Sequence, residues 1–138
     1  MRLSVIDTEL CIGCQGCMFA CSRKFGKAGL AISHIRVRSD GGMEKGFVVI
    51  VCRACNNPAC IKVCPSNALI RRRKGGGVRV DIEKCIGCKK CQNACIIGAI
   101  LWDEEKKLPL ICKHCGYCVS FCPYGVISLE REEKNALR

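Results

Sequence analysis

Apolar residues come in short runs along this chain, and each run is cut off by cysteine, glycine or charge. LSVIDTEL, FVVIV, VRVDIEK and LPLI each stand directly before a group of cysteines. After three of those groups a small residue and a second apolar stretch follow, in Asn67-Ala-Leu-Ile70, Gly98-Ala-Ile-Leu101 and Gly125-Val-Ile-Ser128. Runs this brief suit strands rather than long helices. The pattern predicts one unit used four times: a short strand, a cysteine loop, a turn or two of helix around the third and fourth cysteines, and a returning strand. In the first unit the return is delayed to about residues 31–37. Arg71-Arg-Arg-Lys-Gly-Gly-Gly77 joins two strand-like runs and reads as a hairpin loop. Residues 131–138 read as a charged C-terminal tail.

Composition changes this picture in one respect. The 138 residues suffice for one domain or two very small ones, and the 49% hydrophobic content includes 16 cysteines. Without them roughly 37% ordinary apolar residues remain, with seven aromatics among them. Side chains alone would build a thin core, so the cysteines are expected to hold something that fills it. A disulfide framework is the first alternative. The start of the chain argues against it, because MRLSVIDTEL carries early acidic residues and has no signal-peptide core. No twin-arginine signal stands there, and Phe47–Cys52 is far too short to cross a bilayer. A cytoplasmic location with reduced, metal-binding thiols is therefore expected.

The cysteines fall into four modules with none left over. Module I is Cys11, Cys14, Cys17 and Cys21, spaced C-x2-C-x2-C-x3-C. Module II is Cys52, Cys55, Cys60 and Cys64, spaced C-x2-C-x4-C-x3-C. Module III (Cys85, Cys88, Cys91, Cys95) and module IV (Cys112, Cys115, Cys118, Cys122) repeat the spacing of module I. A structural zinc ion takes two C-x2-C knuckles set a dozen or more residues apart. Here the second knuckle overlaps the first, so one thiol would have to serve both. Three thiols at three-residue spacing suit a larger target, a [4Fe-4S] cubane, with the fourth cysteine reaching a neighbouring cluster. Pro65 and Pro123 follow the fourth cysteine in modules II and IV, where modules I and III have Ser22 and Ile96. Gly13, Gly16, Gly87 and Gly116 would let backbone amides approach the cluster sulfurs, and hydrogen bonds of that kind raise the reduction potential. Ile12, Ile86, Ile61 and Val63 are expected to exclude water.

At CRACNNPACIKVCPSNAL and CIGCKKCQNACIIGAI the chain resembles the four-cluster iron–sulfur subunits of molybdenum and tungsten oxidoreductases, such as those of dimethyl sulfoxide reductase and formate dehydrogenase. In its compactness it is most similar to the small subunit of tungsten aldehyde:ferredoxin-type oxidoreductases. The resemblance implies an α+β fold of two nested ferredoxin-like units with little regular secondary structure. The outer unit takes residues 1–40 and 105–130, and the inner unit takes 41–104. It implies four [4Fe-4S] clusters, held by Cys11, Cys14, Cys17 with Cys122; by Cys112, Cys115, Cys118 with Cys21; by Cys52, Cys55, Cys60 with Cys95; and by Cys85, Cys88, Cys91 with Cys64. The rival arrangement is two tandem units, I with II and III with IV. Twenty residues between Cys64 and Cys85 suit a hairpin, whereas the thirty between Cys21 and Cys52 look like a crossover. The resemblance further implies an electron-transfer subunit, with no catalysis of its own, that serves a larger catalytic subunit and a soluble ferredoxin or another redox subunit. A hydrogenase, formate dehydrogenase or carbon monoxide dehydrogenase complex is the alternative setting. A zinc-binding nucleic-acid module is the outsider.

The remaining candidates read more plainly. No phosphate cradle and no catalytic constellation stand out. The formal charge of +11 treats every cysteine as neutral. Four clusters at about −2 each would bring it to roughly +3, so the basic residues do not point to nucleic acid. His114, inside module IV, reads as an exposed imidazole, with donation to a cluster sulfur as the alternative. Trp102 reads as core or interface, and Arg71 to Lys74 as a solvated loop that could dock an acidic partner.

Overall fold

The computed structural model describes residues 2–39, 46–72 and 77–130. Eight strands and three short α-helices alternate in the expected order. Each module is entered by a strand: β1 (Arg2–Val5), β3 (Phe47–Ile50), β5 (Val78–Val80) and β7 (Leu108–Leu110). Each is left by another: β2 (Arg36–Ser39), β4 (Leu69–Arg71), β6 (Leu101–Asp103) and β8 (Ile127–Glu130). Between them lie α1 (Gly16–Lys24), α2 (Ala59–Val63), α3 (Lys90–Ala94) and, in module IV, a 3₁₀ turn over Tyr117–Phe121. In all four the module's third cysteine is the second residue: Cys17, Cys60, Cys91 and Cys118. Another 3₁₀ turn, Thr8–Leu10, is capped by the Asp7 carboxylate, which accepts from Glu9 N–H at 3.0 Å.

The strands pair in a ring of two-stranded antiparallel ribbons. The strand leaving one module pairs with the strand entering the next: β2 with β3, β4 with β5, β6 with β7. The last strand returns to the first, with Leu3 opposite Leu129 and Val5 opposite Ile127. The hairpin expected around residues 71–77 is present, since β4 and β5 pair and Arg72 N–H donates to Gly77 O at 3.1 Å. Residues 73–76 of that loop, and the charged tail 131–138, lie outside the described residues. The long connection after Cys21 is not a plain crossover. It makes an excursion through residues 25–35 and then enters an antiparallel pair, Arg36 opposite Ile50.

An isolated two-stranded ribbon is only marginally stable in water, and helices of five residues are weaker still. Packing must therefore hold them. One apolar cluster gathers Leu3, Met18, Ile35, Val37, Val49, Val126 and Ile127 with Cys112 and Cys118. A smaller one gathers Leu69, Val78, Ile100 and Ile111 with Cys91. Cys52 borders both, and half-buried Trp102 packs on the second, as core. Within this frame α1 packs against the Tyr117–Phe121 turn, and α2 packs against α3.

Loop and strand are fitted closely at Gly13. Its φ is +71°, and a Cβ there would run into the Phe47 ring. Gly26, also left-handed at φ +80°, faces open space. Alanine at either position meets backbone strain of about 1–2 kcal/mol. Gly13→Ala should cost about 1–3 kcal/mol more than Gly26→Ala, because only the former overpacks a ring. Denaturant midpoints of the two variants measure the difference, and equal midpoints would show that Phe47 gives way freely.

Candidate metal centres

The backbone around the cysteines repeats as faithfully as the cysteines do. Two residues after the first cysteine of each module the chain turns left-handed, at Gly13, Ala54, Gly87 and His114. Gln15, Lys89 and Gly116, each just after a second cysteine, do the same. So do Asn67, Gly98 and Gly125, three residues after a fourth cysteine. Several of these are not glycine, so the turn is held against local preference. Alternating right- and left-handed residues aim successive N–H groups into one concavity, which attracts anions. The bonds bear this out. Ala68, Ala99 and Val126 donate their N–H groups to Cys64, Cys95 and Cys122 Sγ at 3.3, 3.4 and 3.4 Å. His114 N–H donates to Cys112 Sγ at 3.4 Å.

Module I reaches the same result by another route. Cys21 lies inside α1, where the following amides are spent on helix and turn carbonyls, as with Phe25 N–H on Ser22 O. Its sulfur accepts instead from His34 N–H at 3.2 Å, at the end of the 25–35 excursion. His34 Nδ1 lies 3.6 Å from the same sulfur. The ring packs tilted against Phe25, at 4.4 Å between centroids. Burial, with Lys113 adding to it, pushes His34 down to about 4.

No cysteine is tied into a disulfide. The structure gathers the thiols across modules. One cavity is lined by Cys11, Cys14, Cys17 and Cys122, and another by Cys21, Cys112, Cys115 and Cys118. Burial pushes Cys60 up to about 11, and the charges that add to it are those of Cys52, Cys95 and Cys55. Burial likewise raises Cys91, and there the neighbouring charges are Cys88, Cys64 and Cys85. Cys17 rises to about 11 and both Cys112 and Cys118 to about 12, again from burial first. Cys112 also feels Cys52, and Cys118 feels Cys17, so adjoining thiol groups are near one another. Among the described residues no three His, Cys, Asp or Glu side chains converge closely enough to hold a single metal ion. In every module the second cysteine (Cys14, Cys55, Cys88, Cys115) is exposed.

Several expectations change. Ile12, Ile86 and Val63 do not exclude water, being 54%, 67% and 39% exposed. His114 is buried rather than exposed, because Nδ1 accepts from Leu3 N–H at 3.0 Å and ties module IV to β1. Its ring fills the space over Gly77, where a Cβ would come within 2.7 Å. Two members of the arginine run are engaged within the fold: Arg71 Nη1 donates to Asn56 O at 2.7 Å, and Arg72 Nη1 donates to Lys113 O. Arg73 and Lys74 lie outside the described residues. Gly13, Gly87 and Gly116 all have positive φ, whereas Gly16 opens α1. His34 was missed by the sequence reading. Its signal is indirect: module I has Lys24 where the other modules have Asn67, Gly98 and Gly125, and so it needs a donor from elsewhere.

Thiols held in groups of four, with amide N–H groups aimed at their sulfurs, define a protein that binds metal–sulfur clusters. Comparison with known proteins makes the class specific. Residues 43–132 match the 4Fe-4S dicluster domain, and residues 8–24 match a 4Fe-4S binding domain. The chain belongs to this 4Fe-4S dicluster family. It is 34% identical to the probable anaerobic dimethyl sulfoxide reductase chain YnfG of Escherichia coli K12, over 96% of this chain and 77% of that one. It is 34% identical to the beta subunit of the NADH-dependent phenylglyoxylate dehydrogenase of Aromatoleum evansii, over 88% of this chain but only 28% of that protein. The fold resembles a chain of the active site complex BamBC of benzoyl coenzyme A reductase in complex with benzoyl-CoA, with TM-score 0.50, 21% identity, and coverage of 96% and 84%. Among the described residues no helix is long and apolar enough to cross a membrane.

Burial sets a reactivity order for the metal-free chain. Burial acts to raise Cys115 too, but the Tyr117 N–H and Lys24 bring it below its ordinary value of 9.0. A thiol near 12 carries roughly a thousandth of the thiolate of one near 9 at neutral pH. Iodoacetamide at pH 7.5 should therefore label Cys115 far ahead of Cys112 and Cys118. As pH rises from 8 to 11, labelling of the buried pair should climb about tenfold per unit while Cys115 levels off. Mass-spectrometric mapping reads both; uniform labelling would contradict the burial.

Proposed function

We propose that the chain carries four [4Fe-4S] clusters and conducts electrons between a larger catalytic subunit and an external carrier or another redox subunit. The observation that carries this reading is the pair of cavities, each lined by three thiols of one outer module and the fourth thiol of the other. The four ligand sets are those the family resemblance implies. Cys11, Cys14 and Cys17 take Cys122, and Cys112, Cys115 and Cys118 take Cys21. Cys52, Cys55 and Cys60 take Cys95, and Cys85, Cys88 and Cys91 take Cys64. Support for the inner sets comes from the charges felt by Cys60 and Cys91. Packing of α1 on the Tyr117–Phe121 turn and of α2 on α3 supports nested units, residues 1–40 with 105–130 around 41–104.

The residues fit the group. A bound [4Fe-4S] cluster takes up and returns one electron at a time. The chain's part is to supply thiolates, to aim N–H donors at them and to set their order. The charges that Cys118 feels from Cys17, and Cys112 from Cys52, support three sets in succession. The fourth follows because α2 and the residue after it carry both Cys60 and Cys64. Amides of Gly13, Gly16, Gly87 and Gly116 are further donors in this reading. The left-handed turns at three of them support it.

For the partner we propose a tungsten- or molybdenum-pterin subunit of the aldehyde oxidoreductase type, which would do the chemistry on substrate. Similarity to a dimethyl sulfoxide reductase chain supports the pterin class. A reducing compartment, the cytoplasm, would keep the thiols free. Anaerobic preparations should hold about sixteen irons per chain, with tungsten or molybdenum in a co-purifying subunit. In the loaded protein Cys21→Ser should expose Cys112, Cys115 and Cys118 to alkylation. Were Cys52, Cys55 and Cys60 exposed instead, the tandem arrangement would replace the nested one.

A further inference from the structure

We propose that His34 sets the reduction potential of one cluster, as a positioning residue that gives the Cys21 sulfur an imidazole donor, its Nδ1–H. The inference rests on the reading above, in which Cys21 ligates the cluster held by Cys112, Cys115 and Cys118. A metal-bound Cys21 sulfur carries no proton and can only accept, so the ring nitrogen 3.6 Å away must be the donor. His34 thereby grips the sulfur twice, since its main-chain N–H already donates at 3.2 Å. The ring cannot easily turn away. It is 8% exposed, lies against Phe25 and lines the same cavity as Cys21 and Cys112.

The other fourth cysteines are served differently. Cys95 and Cys122 each accept a main-chain N–H four residues on, and among the described residues no side chain hydrogen-bonds to either sulfur. Cys64 has Ser66 Oγ at 3.8 Å, where either atom could donate. An imidazole donor is thus specific to Cys21. It arrives through the excursion that sets module I apart from the rest of the repeat. A donor to a thiolate favours the more negative, reduced state, so it raises the potential.

The test is an EPR-monitored redox titration of the loaded protein. His34→Phe keeps an aromatic ring against Phe25 but has no donor, and the main-chain N–H remains. One of the four potentials should fall, with about a tenfold change in its oxidised-to-reduced ratio, which is about 59 mV for a one-electron couple. His34→Asn, whose side-chain N–H can stand near the position of Nδ1–H, should restore most of it. Four unmoved potentials in H34F at unchanged iron content would overturn the inference, as would an equal fall in H34N. If H34F sheds iron, the same titration on His34→Leu decides. Iron well short of about sixteen in the wild type would instead sink the four-cluster reading, and this inference with it.

Discussion

A thiolate drawn into a protein interior is tolerated only where cations and N–H dipoles surround its charge. This chain draws in most of sixteen, and nearly every local feature answers that demand. The left-handed residues at Gly13, Ala54, Gly87 and His114 recur at one position, and at His114 the turn aims its own N–H at the Cys112 sulfur. Main-chain donors to Cys64, Cys95 and Cys122 sit at one spacing for the same reason. Strain at Ala54 or Asn67 would be wasteful in a chain with an ordinary core. Here it is offset by satisfying charge that nothing else could reach. The rise of Cys112 and Cys118 to about 12 measures how hostile the interior is to an unligated thiolate. Metal removes that penalty by taking the proton's place.

The same constraint explains how such slight secondary structure holds. Among the described residues no ribbon exceeds two strands, and α2 and α3 have five residues each. What stabilises them is closure. Every strand leaving a module is paired with the strand entering the next, and β8 comes back to β1, so no module is left with an unpaired flank. Contacts across modules add ties that neither module could make alone. His114 accepts from Leu3, and Arg72 reaches the Lys113 carbonyl. The apolar clusters then need only seal the spaces between thiol groups, a task within reach of small sets built on Ile35 and Ile127 or on Leu69 and Ile111.

Much of this was legible in the sequence because cysteine spacing is rigid. Three thiols three residues apart, followed by a fourth, fix where a helical turn must fall; the turns at Cys17, Cys91 and Cys118 fall there, and the turn at Cys60 follows its own third cysteine, two residues further on. Returning strands were legible from the small residue and apolar pair after Cys64, Cys95 and Cys122. Three matters were not. The β1–β8 closure joins the two ends of the described chain and leaves no local trace, since LSVI and VISL are ordinary strand sequences. Burial of His114 depends on a backbone donor at Leu3, more than a hundred positions away. Ile12 and Ile86 resemble core residues by type, yet they flank the exposed Cys14 and Cys88 and face outward with them. Hydrophobicity alone does not say which side of a loop a residue takes.

That last point ties composition to the site. The residue after the first cysteine is Ile12 in module I and Ile86 in module III, but Arg53 in module II and Lys113 in module IV. In the succession of ligand sets proposed above, the aliphatic pair would belong to the two ends and the basic pair to the two middle positions. A middle set would have another set on either side, and Cys112 feels the charges of both Cys21 and Cys52. Lys24 beside Cys115 adds a further cation to one of them. The formal charge of +11 therefore reads as a counterweight placed where thiolate charge accumulates, rather than as an invitation to a polyanion. End positions, with less charge to balance, can present apolar side chains beside an exposed cysteine, the kind of surface that sheds water when a partner covers it.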